Sequence, residues 1–141
     1  MKTVHTQKTA ATISALVLVA IGTNTTIAAN VTDQLLQEYQ QAGAQSFSSK
    51  AGQMAWDKTR IDPKSGKARS CASCHTSNLQ KPSKHVRTGK AIKPLAPSAN
   101  PERLTDRKHV EKWLKRNCKW VFGRECTPQE KGDFLSYIQS A

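Results

Sequence analysis

Two cysteines and a histidine are the residues with the clearest chemical potential in this chain, since residues 71–75 read Cys-Ala-Ser-Cys-His. This spacing is typical of covalent haem attachment. Thioether bonds from Cys71 and Cys74 would hold the macrocycle, and His75 would lie beneath the iron as its proximal ligand. We therefore predict one haem c in each chain.

A CxxC pair also occurs in zinc knuckles and in thioredoxin-type dithiols. A zinc site needs a second ligand pair, but Cys118 and Cys126 are eight positions apart and lack knuckle spacing. A redox dithiol needs a strand before the motif within a βαβ unit, whereas residues 61–70 have the composition of a turn and loop. These patterns favour haem over both alternatives.

The N-terminus has the layout of a secretory signal peptide. Lys2 and Lys8 flank an apolar run over residues 10–21, and the small residues Ala28 and Ala29 follow it. The run is roughly a dozen residues long, well short of the ~20 that span a bilayer. We expect cleavage after Ala28 or Ala29. Residues 30–141 would then form a single mature domain in the periplasm, without stable membrane insertion.

Export would place the chain in an oxidising compartment, where thioether-bound haem and disulfides both persist. The remaining cysteines, Cys118 and Cys126, are therefore predicted to form a disulfide, with two free buried thiols as the alternative. Closing so short a loop stabilises a fold by roughly 2–3 kcal/mol.

The chain is strongly basic, with a formal charge of +12 that falls to +10 once Lys2 and Lys8 leave with the signal peptide. Such a field favours acidic partners. Nucleic acid is the usual partner of a basic chain, but an exported haem protein meets little of it. We therefore expect an acidic redox protein or an anionic surface, and no nucleic acid.

Apolar periodicity and capping residues predict about four helices and no strand. The first begins at Val31 with Thr32 as N-cap and stops at Gly43, and the second spans residues 46–58, with Gly52 as a point of close helix approach. An irregular loop over residues 76–101 follows the haem motif. The third helix spans residues 105–117 with Thr105 as N-cap, and the last begins at a capping box over residues 127–130 and buries Phe134, Leu135 and Ile138.

The residue that faces the sixth coordination position decides the chemistry of a haem protein. The only methionine of the mature domain, Met54, precedes the motif and is predicted to fill the core. The open candidates are His85, His109, Asn117, a lysine, or no residue at all. Asn117 shares a helical face with three large apolar residues, namely Val110, Trp113 and Leu114.

Three segments closely resemble the sphaeroides haem protein family: residues 87–106, 110–118 and 123–131. The resemblance covers essentially the mature domain, firmly from Cys71 onward. It implies an all-α, class I cytochrome c-like fold around one covalently bound haem. It also implies that Asn117 is the distal ligand and that Cys118 pairs with Cys126. His85 could upset this ligand set, because a nearby imidazole outcompetes an amide.

The resemblance further implies that the asparagine leaves the iron on reduction, so that the ferrous haem binds oxygen or nitric oxide, and that a di-haem cytochrome c supplies the electron. A plain electron carrier with a permanent distal ligand is one alternative, and a small oxidoreductase acting on nitric oxide or another small nitrogen compound is the other. No acid/base constellation indicates catalytic residues, and a monomer is expected. Basic residues that would steer an acidic donor are Lys81, Lys84, Arg87, Lys90, Lys93, Lys112, Lys115, Arg116 and Lys119.

Overall fold

The structure is a computed structural model that describes Met1 and residues 30–141. The predicted cleavage site after Ala28 or Ala29, and the signal peptide beyond its first residue, lie outside the described residues. Among the helices that are described, none is long and apolar enough to cross a membrane.

The described chain contains five helices, one more than predicted, because a single helical turn forms over the haem motif. They are α1 (Val31–Gln41), α2 (Ser49–Asp57), α3 (Ala72–His75), α4 (Arg107–Phe122) and α5 (Pro128–Gln139). Four two-residue strands were not predicted. The strands β1 (Arg60–Ile61) and β2 (Ala68–Arg69) form one antiparallel pair, and β3 (Ser83–Lys84) and β4 (Ala91–Ile92) form the other.

The two hairpins use the same turn. The N–H of Gly66 donates to the carbonyl of Asp62, and the N–H of Gly89 donates to the carbonyl of His85, each at 2.8 Å. Both glycines have a positive φ, of 65° and 67°, which costs little without a Cβ. The turns therefore fold segments that sequence composition marks only as loops into short ladders.

Helix ends follow capping side chains, and two predicted caps were wrong. Asp106 caps α4 by accepting a 3.1 Å hydrogen bond from the N–H of His109, whereas the hydroxyl of Thr105 donates to the carbonyl of Glu102. Asn30, rather than the predicted Thr32, caps α1. The capping box that starts α5 is confirmed, with Thr127 and Glu130 bonded reciprocally.

Helix α5 packs closely on α2 and on the segment just before α2, because two glycines remove side chains from these contacts. A Cβ on Gly52 would overlap the backbone carbonyl of Asp133, and one on Gly132 would overlap the ring of Phe47. The close approach predicted at Gly52 is thereby confirmed.

The core consists of two clusters. The first surrounds Trp56, whose ring packs edge-on against Phe134 and Tyr137 at centroid distances of 6.1 and 5.8 Å. The second holds four buried residues from α1, α4 and α5, which are Leu35, Tyr39, Val110 and Leu135. Leu104 and Leu114 pack against both clusters, so they mark the seam between them.

Two large apolar side chains singled out in the sequence are exposed. Met54 is 64% exposed, because Gly52 and Trp56 occupy the buried face of α2 and Met54 projects from the opposite side. Trp113 is 41% exposed, since it lies at the edge of the α4 face formed by Val110 and Leu114. The core-filling role predicted for Met54 is therefore wrong.

Candidate haem site

Helix α3 and its N-cap Cys71 carry the three residues predicted to hold haem, and two serines fix the start of the helix. The N–H of Ser70 donates to the hydroxyl of Ser73 at 3.0 Å, and the N–H of Ser73 donates back to the hydroxyl of Ser70 at 3.1 Å. The turn places the buried, unlinked thiols of Cys71 and Cys74 beside the half-buried imidazole of His75.

The surroundings of the thiols suit neither alternative considered from sequence. No cluster of three histidine, cysteine or acidic side chains that could hold a metal ion is present in Met1 and residues 30–141. The strands before the motif form an antiparallel hairpin rather than part of a βαβ unit. A zinc knuckle and a thioredoxin-type dithiol therefore both lack their usual setting.

Burial decides the protonation of these groups. It raises the pKa of the Cys71 thiol to about 12, so that this thiol is not a preformed thiolate nucleophile. Burial, and secondarily the charges of Arg103 and His85, lowers the pKa of His75 to about 4. At neutral pH the imidazole is uncharged, which is the form that ligates a metal.

The polypeptide on the proximal side is held by Trp56. Its indole Nε1 donates a 2.9 Å hydrogen bond to the carbonyl of Thr76, and its ring lies 5.6 Å from that of His75. Thr76 has a φ of 59°, a conformation that a residue with a Cβ adopts only when neighbours enforce it. The Nδ1 atom of His75 is buried and has no hydrogen-bond partner among the described residues.

Asn117 lies inside α4, not at a helix end as predicted, because α4 continues to Phe122 and ends only at Gly123 in the left-handed region. It shares a face with the buried Val110 and the half-buried Leu114. The Asn117 side chain is half-buried and makes no hydrogen bond to another residue of the described chain. The amide is thus free to bind a group that the polypeptide does not supply.

The residue after Asn117 forms a disulfide. Cys118 is linked to Cys126 with a Cα–Cα distance of 5.5 Å, which confirms the predicted pairing. Both sulfurs are buried in the first core cluster. The bridge spans Gly123 and joins α4 to the segment that enters α5, so it restrains the helix that carries Asn117.

The two other candidate histidines are engaged elsewhere. The Nδ1 atom of His85 lies 3.1 Å from the hydroxyl of Thr88 within the β3–β4 hairpin. His109 is exposed, and its ring lies 6.0 Å from that of Trp113. Competition by His85 stays a prediction.

Comparison with known proteins decides the family. Residues 42–138 match the family model described as a domain of unknown function, DUF1924. The chain is 42% identical over 105 residues to the cytochrome c-type protein SHP of Cereibacter sphaeroides, a match that covers 74% of this chain and 80% of that protein. The chain belongs to the DUF1924 family and is an SHP-type cytochrome c. The resemblance to the sphaeroides haem protein family is confirmed.

Solved structures agree with the fold of this SHP-type cytochrome. The structure of oxidized SHP, an oxygen-binding cytochrome c, superposes with a TM-score of 0.70 at 38% identity, over 79% of this chain and 98% of that one. Oxidized cytochrome c'' of Methylophilus methylotrophus gives a TM-score of 0.69 at 33% identity, over 78% and 94%. The predicted all-α, class I cytochrome c-like fold is confirmed.

Haem c is the cofactor of this SHP-type cytochrome, and the residues present fit it. Two buried thiols remain unlinked to each other. The neutral imidazole of His75 retains a nitrogen without a partner in the described chain, which would be costly if nothing else completed its bonding. These three side chains meet within one helical turn.

Sequence reasoning missed the contact between the β1–β2 hairpin and the end of α4 in this SHP-type cytochrome. The guanidinium of Arg60 lies 3.9 Å from the ring centroid of Phe122. That of Arg69 lies 5.0 Å from the ring centroid of Trp120 and donates to the Trp120 carbonyl at 3.0 Å. The hairpin thereby links the entry to the haem motif with the helix that carries Asn117, and no local sequence signal marks this contact.

Proposed function

We propose that the mature chain is an exported, periplasmic monohaem cytochrome that accepts an electron and then binds a diatomic gas, oxygen or nitric oxide. Cys71 and Cys74 attach the haem, His75 is the proximal ligand, and Asn117 is a labile distal ligand. The observation that carries this proposal is the half-buried Asn117 amide, which has no hydrogen-bond partner in the described chain. Similarity to SHP, an oxygen-binding cytochrome c, supports it.

Haem iron supplies a one-electron couple and a sixth coordination position. The protein determines which group occupies the sixth coordination position. An amide oxygen is a hard, weak donor that suits ferric better than ferrous iron. Reduction of a bound haem would therefore weaken the hold of Asn117.

The restraint on α4 shapes how Asn117 leaves. The Cys118–Cys126 disulfide and the Arg69 contact with the Trp120 carbonyl hold the C-terminal turns of the helix. A side-chain rotation of Asn117 is therefore favoured over a displacement of the helix backbone. The gas would enter beside a helix that keeps its position.

The electron donor is an acidic redox protein. The resemblance to the sphaeroides haem protein family suggests a di-haem cytochrome c. Basic side chains on the loop over residues 76–101 and on α4 are exposed, as a steering surface requires. Two of the α4 lysines, Lys115 and Lys119, share Glu125 at 3.2 Å each, so the acid offsets part of their charge.

Visible spectra of the ferric and ferrous protein test the role of Asn117. The wild type is expected to be low-spin when ferric and high-spin when ferrous, and to bind nitric oxide stoichiometrically. Asn117→Ala is expected to be high-spin in both states. His85→Ala, which removes the other nearby candidate, is the matched control and should keep the wild-type spectra.

Two other patterns of spectra would contradict the role of Asn117. If Asn117→Ala keeps a low-spin ferric spectrum while His85→Ala loses it, His85 is the distal ligand. If both variants and the wild type stay low-spin in both states, the chain is a plain electron carrier.

A further inference from the structure

Arg103 is a half-buried arginine with no acidic partner within ion-pair distance in the described chain. Its Nε donates to the carbonyl of Pro94 at 2.8 Å, and its Nη2 donates to the carbonyl of Lys93 at 2.9 Å. Both acceptors are neutral. Across the described chain no carboxylate lies within ion-pair distance of this guanidinium, in contrast to those of Arg69, Arg107 and Arg124.

Such an arrangement leaves a charge only partly compensated. Burial lowers the pKa of Arg103, and the charge of Glu102 offsets this only in part. A desolvated guanidinium is costly unless an anion accompanies it. Arginine has five N–H donors, and the two backbone carbonyls use two of them. The remaining donors can hold a carboxylate.

The position of Arg103 relates this charge to the haem site. Arg103 donates to the loop that contains Lys93 and Pro94. This loop is hydrogen-bonded to the segment after the haem motif, since the N–H groups of Leu95 and Ala96 donate to the carbonyl of Leu79 at 2.9 and 3.0 Å. Arg103 lines two clefts, and its neighbour Leu104 lies at the seam between the core clusters. Its charge also reaches His75 electrostatically.

One of the clefts has polar walls suited to an anion. Lys93 and Asn100 line it together with Arg103, and the Asn100 amide donates to the same Pro94 carbonyl at 3.1 Å. The acids Glu102 and Asp106 line it too, so a free anion would meet repulsion there. A carboxylate already fixed to a larger bound group would be held despite that repulsion.

We infer that Arg103 pairs with a propionate carboxylate of the haem and is a positioning residue for the cofactor. The inference rests on the proposed haem attachment at Cys71, Cys74 and His75. Haem c brings two propionates with it, and an arginine fork matches a carboxylate in two hydrogen bonds. The pairing supplies the anion that the guanidinium lacks, and it turns the propionate edge toward the Arg103 loop.

This pairing changes the reduction potential. An unpaired propionate stabilises ferric iron through its negative charge, and the guanidinium cancels that charge. Removing the positive charge of Arg103 therefore lowers the midpoint potential of the haem. Because the pair is partly desolvated, sodium chloride screens the effect weakly.

Potentiometric titration of the purified haem protein tests the pairing. Arg103→Gln keeps an amide that can still donate to a backbone carbonyl but loses the charge and the fork, so its midpoint potential is expected to fall, at low and at high sodium chloride alike. Arg103→Lys should restore part of the potential, since it keeps the charge without the fork. Lys108→Gln removes an exposed charge at the start of α4, outside the residues assigned to donor steering, and should leave the potential near that of the wild type.

A measurement on the wild type covers the case in which Arg103→Gln fails to fold. In the carbon monoxide complex of the ferrous protein, nuclear Overhauser contacts should join the Arg103 guanidinium protons to propionate methylene protons. Absence of these contacts, or an Arg103→Gln potential equal to that of Lys108→Gln, overturns the inference. A wild-type potential that shifts saturably with added acetate would mean that Arg103 takes a free carboxylate instead, which also overturns it.

A failure of the proposed function can be distinguished from a failure of the Arg103 pairing. If the purified wild type carries no covalently attached haem, the proposed function itself fails. If haem is attached and only the Arg103 results are negative, the proposed function stands and the propionate pairing is wrong.

Discussion

The indole of Trp56 is hydrogen-bonded to the carbonyl of Thr76, the residue directly after His75, at 2.9 Å. The two residues are 20 positions apart, so the bond ties α2 to the end of the haem motif. It also holds Thr76 in a backbone conformation with a φ of 59°. A tryptophan that resembles ordinary core filling thereby fixes the chain around the proposed proximal ligand.

Replacing this tryptophan tests the bond. Trp56→Phe keeps an aromatic ring but loses the N–H donor, so the free energy of unfolding should fall by about 1–2 kcal/mol. Urea titration followed by circular dichroism measures the loss. Trp120→Phe is the control, because Trp120 is 36% exposed. Equal losses in the two variants would show that the hydrogen bond contributes nothing.

The disulfide is expected to stabilise the fold measurably. In Cys118→Ala/Cys126→Ala the free energy of unfolding should fall by about 2–3 kcal/mol, because the unfolded chain regains the freedom that the short loop removes. Urea unfolding of the double variant is compared with that of the wild type, with and without a thiol reductant. A wild-type urea midpoint that is the same with and without the reductant would contradict the prediction.

Glu125 is expected to moderate reactions with anions. Its carboxylate lies 3.2 Å from both Lys115 and Lys119, so Glu125→Gln frees two ammonium charges on α4. Oxidation of the ferrous protein by ferricyanide should become roughly two- to fivefold faster at low salt and lose this gain at high salt. Stopped-flow absorbance measures the rate.

A charge-matched variant separates local from global effects in that experiment. Asp33→Asn makes the same change in net charge at the first turn of α1, on an exposed residue. It should change the ferricyanide rate less than Glu125→Gln does. An equal acceleration would mean that net charge alone, and not the α4 surface, sets the rate.

The cap of α5 makes part of the stability depend on pH. Glu130 accepts hydrogen bonds from both Nη atoms of Arg124, at 2.7 and 2.8 Å, and from the N–H of Thr127 at 2.8 Å. The Arg124 hydrogen bonds, more than any other cause, lower the pKa of Glu130 in the folded state. A depressed folded-state pKa stabilises the fold above the unfolded-state pKa of about 4.3, and this stabilisation is lost as pH falls through the folded-state pKa.

Acid titration of unfolding checks this cap. In Glu130→Gln the free energy of unfolding should depend less steeply on pH below about 4.3, because the variant has no carboxylate to protonate. Glu102→Gln, at an exposed glutamate 3.9 Å from Lys93, is the control and should keep the wild-type pH dependence. Identical acid profiles for the wild type and Glu130→Gln would contradict the linkage.

Local sequence signals were sufficient to predict features in which residues close in the chain bond to each other. The reciprocal cap of Thr127 and Glu130 acts across three residues, and the disulfide closes a separation of eight. The haem motif is equally local, since its cysteines and His75 fall within one turn. The family resemblance supplied the fold class, which a short motif alone would not.

Prediction from the sequence failed where the buried face of a helix, or a contact between residues far apart in the chain, had to be identified. Met54 is apolar, but the α2 contact with α5 uses Gly52 and Trp56, which turns Met54 to solvent. A helical pattern cannot predict which side a partner helix will cover when small and large residues compete for it.

The sequence by itself determined the attachment motif, the capping box of α5 and the disulfide, because each depends on residue types at short spacing, and the family resemblance singled out the candidate distal amide. Only the tertiary structure decided that Trp56 holds the chain after His75, that Arg69 grips the end of α4, and that Arg103 lacks an acidic partner. The Arg69 contact with Trp120 spans 51 positions. Such contacts arise from packing of the whole chain, and no local pattern records them.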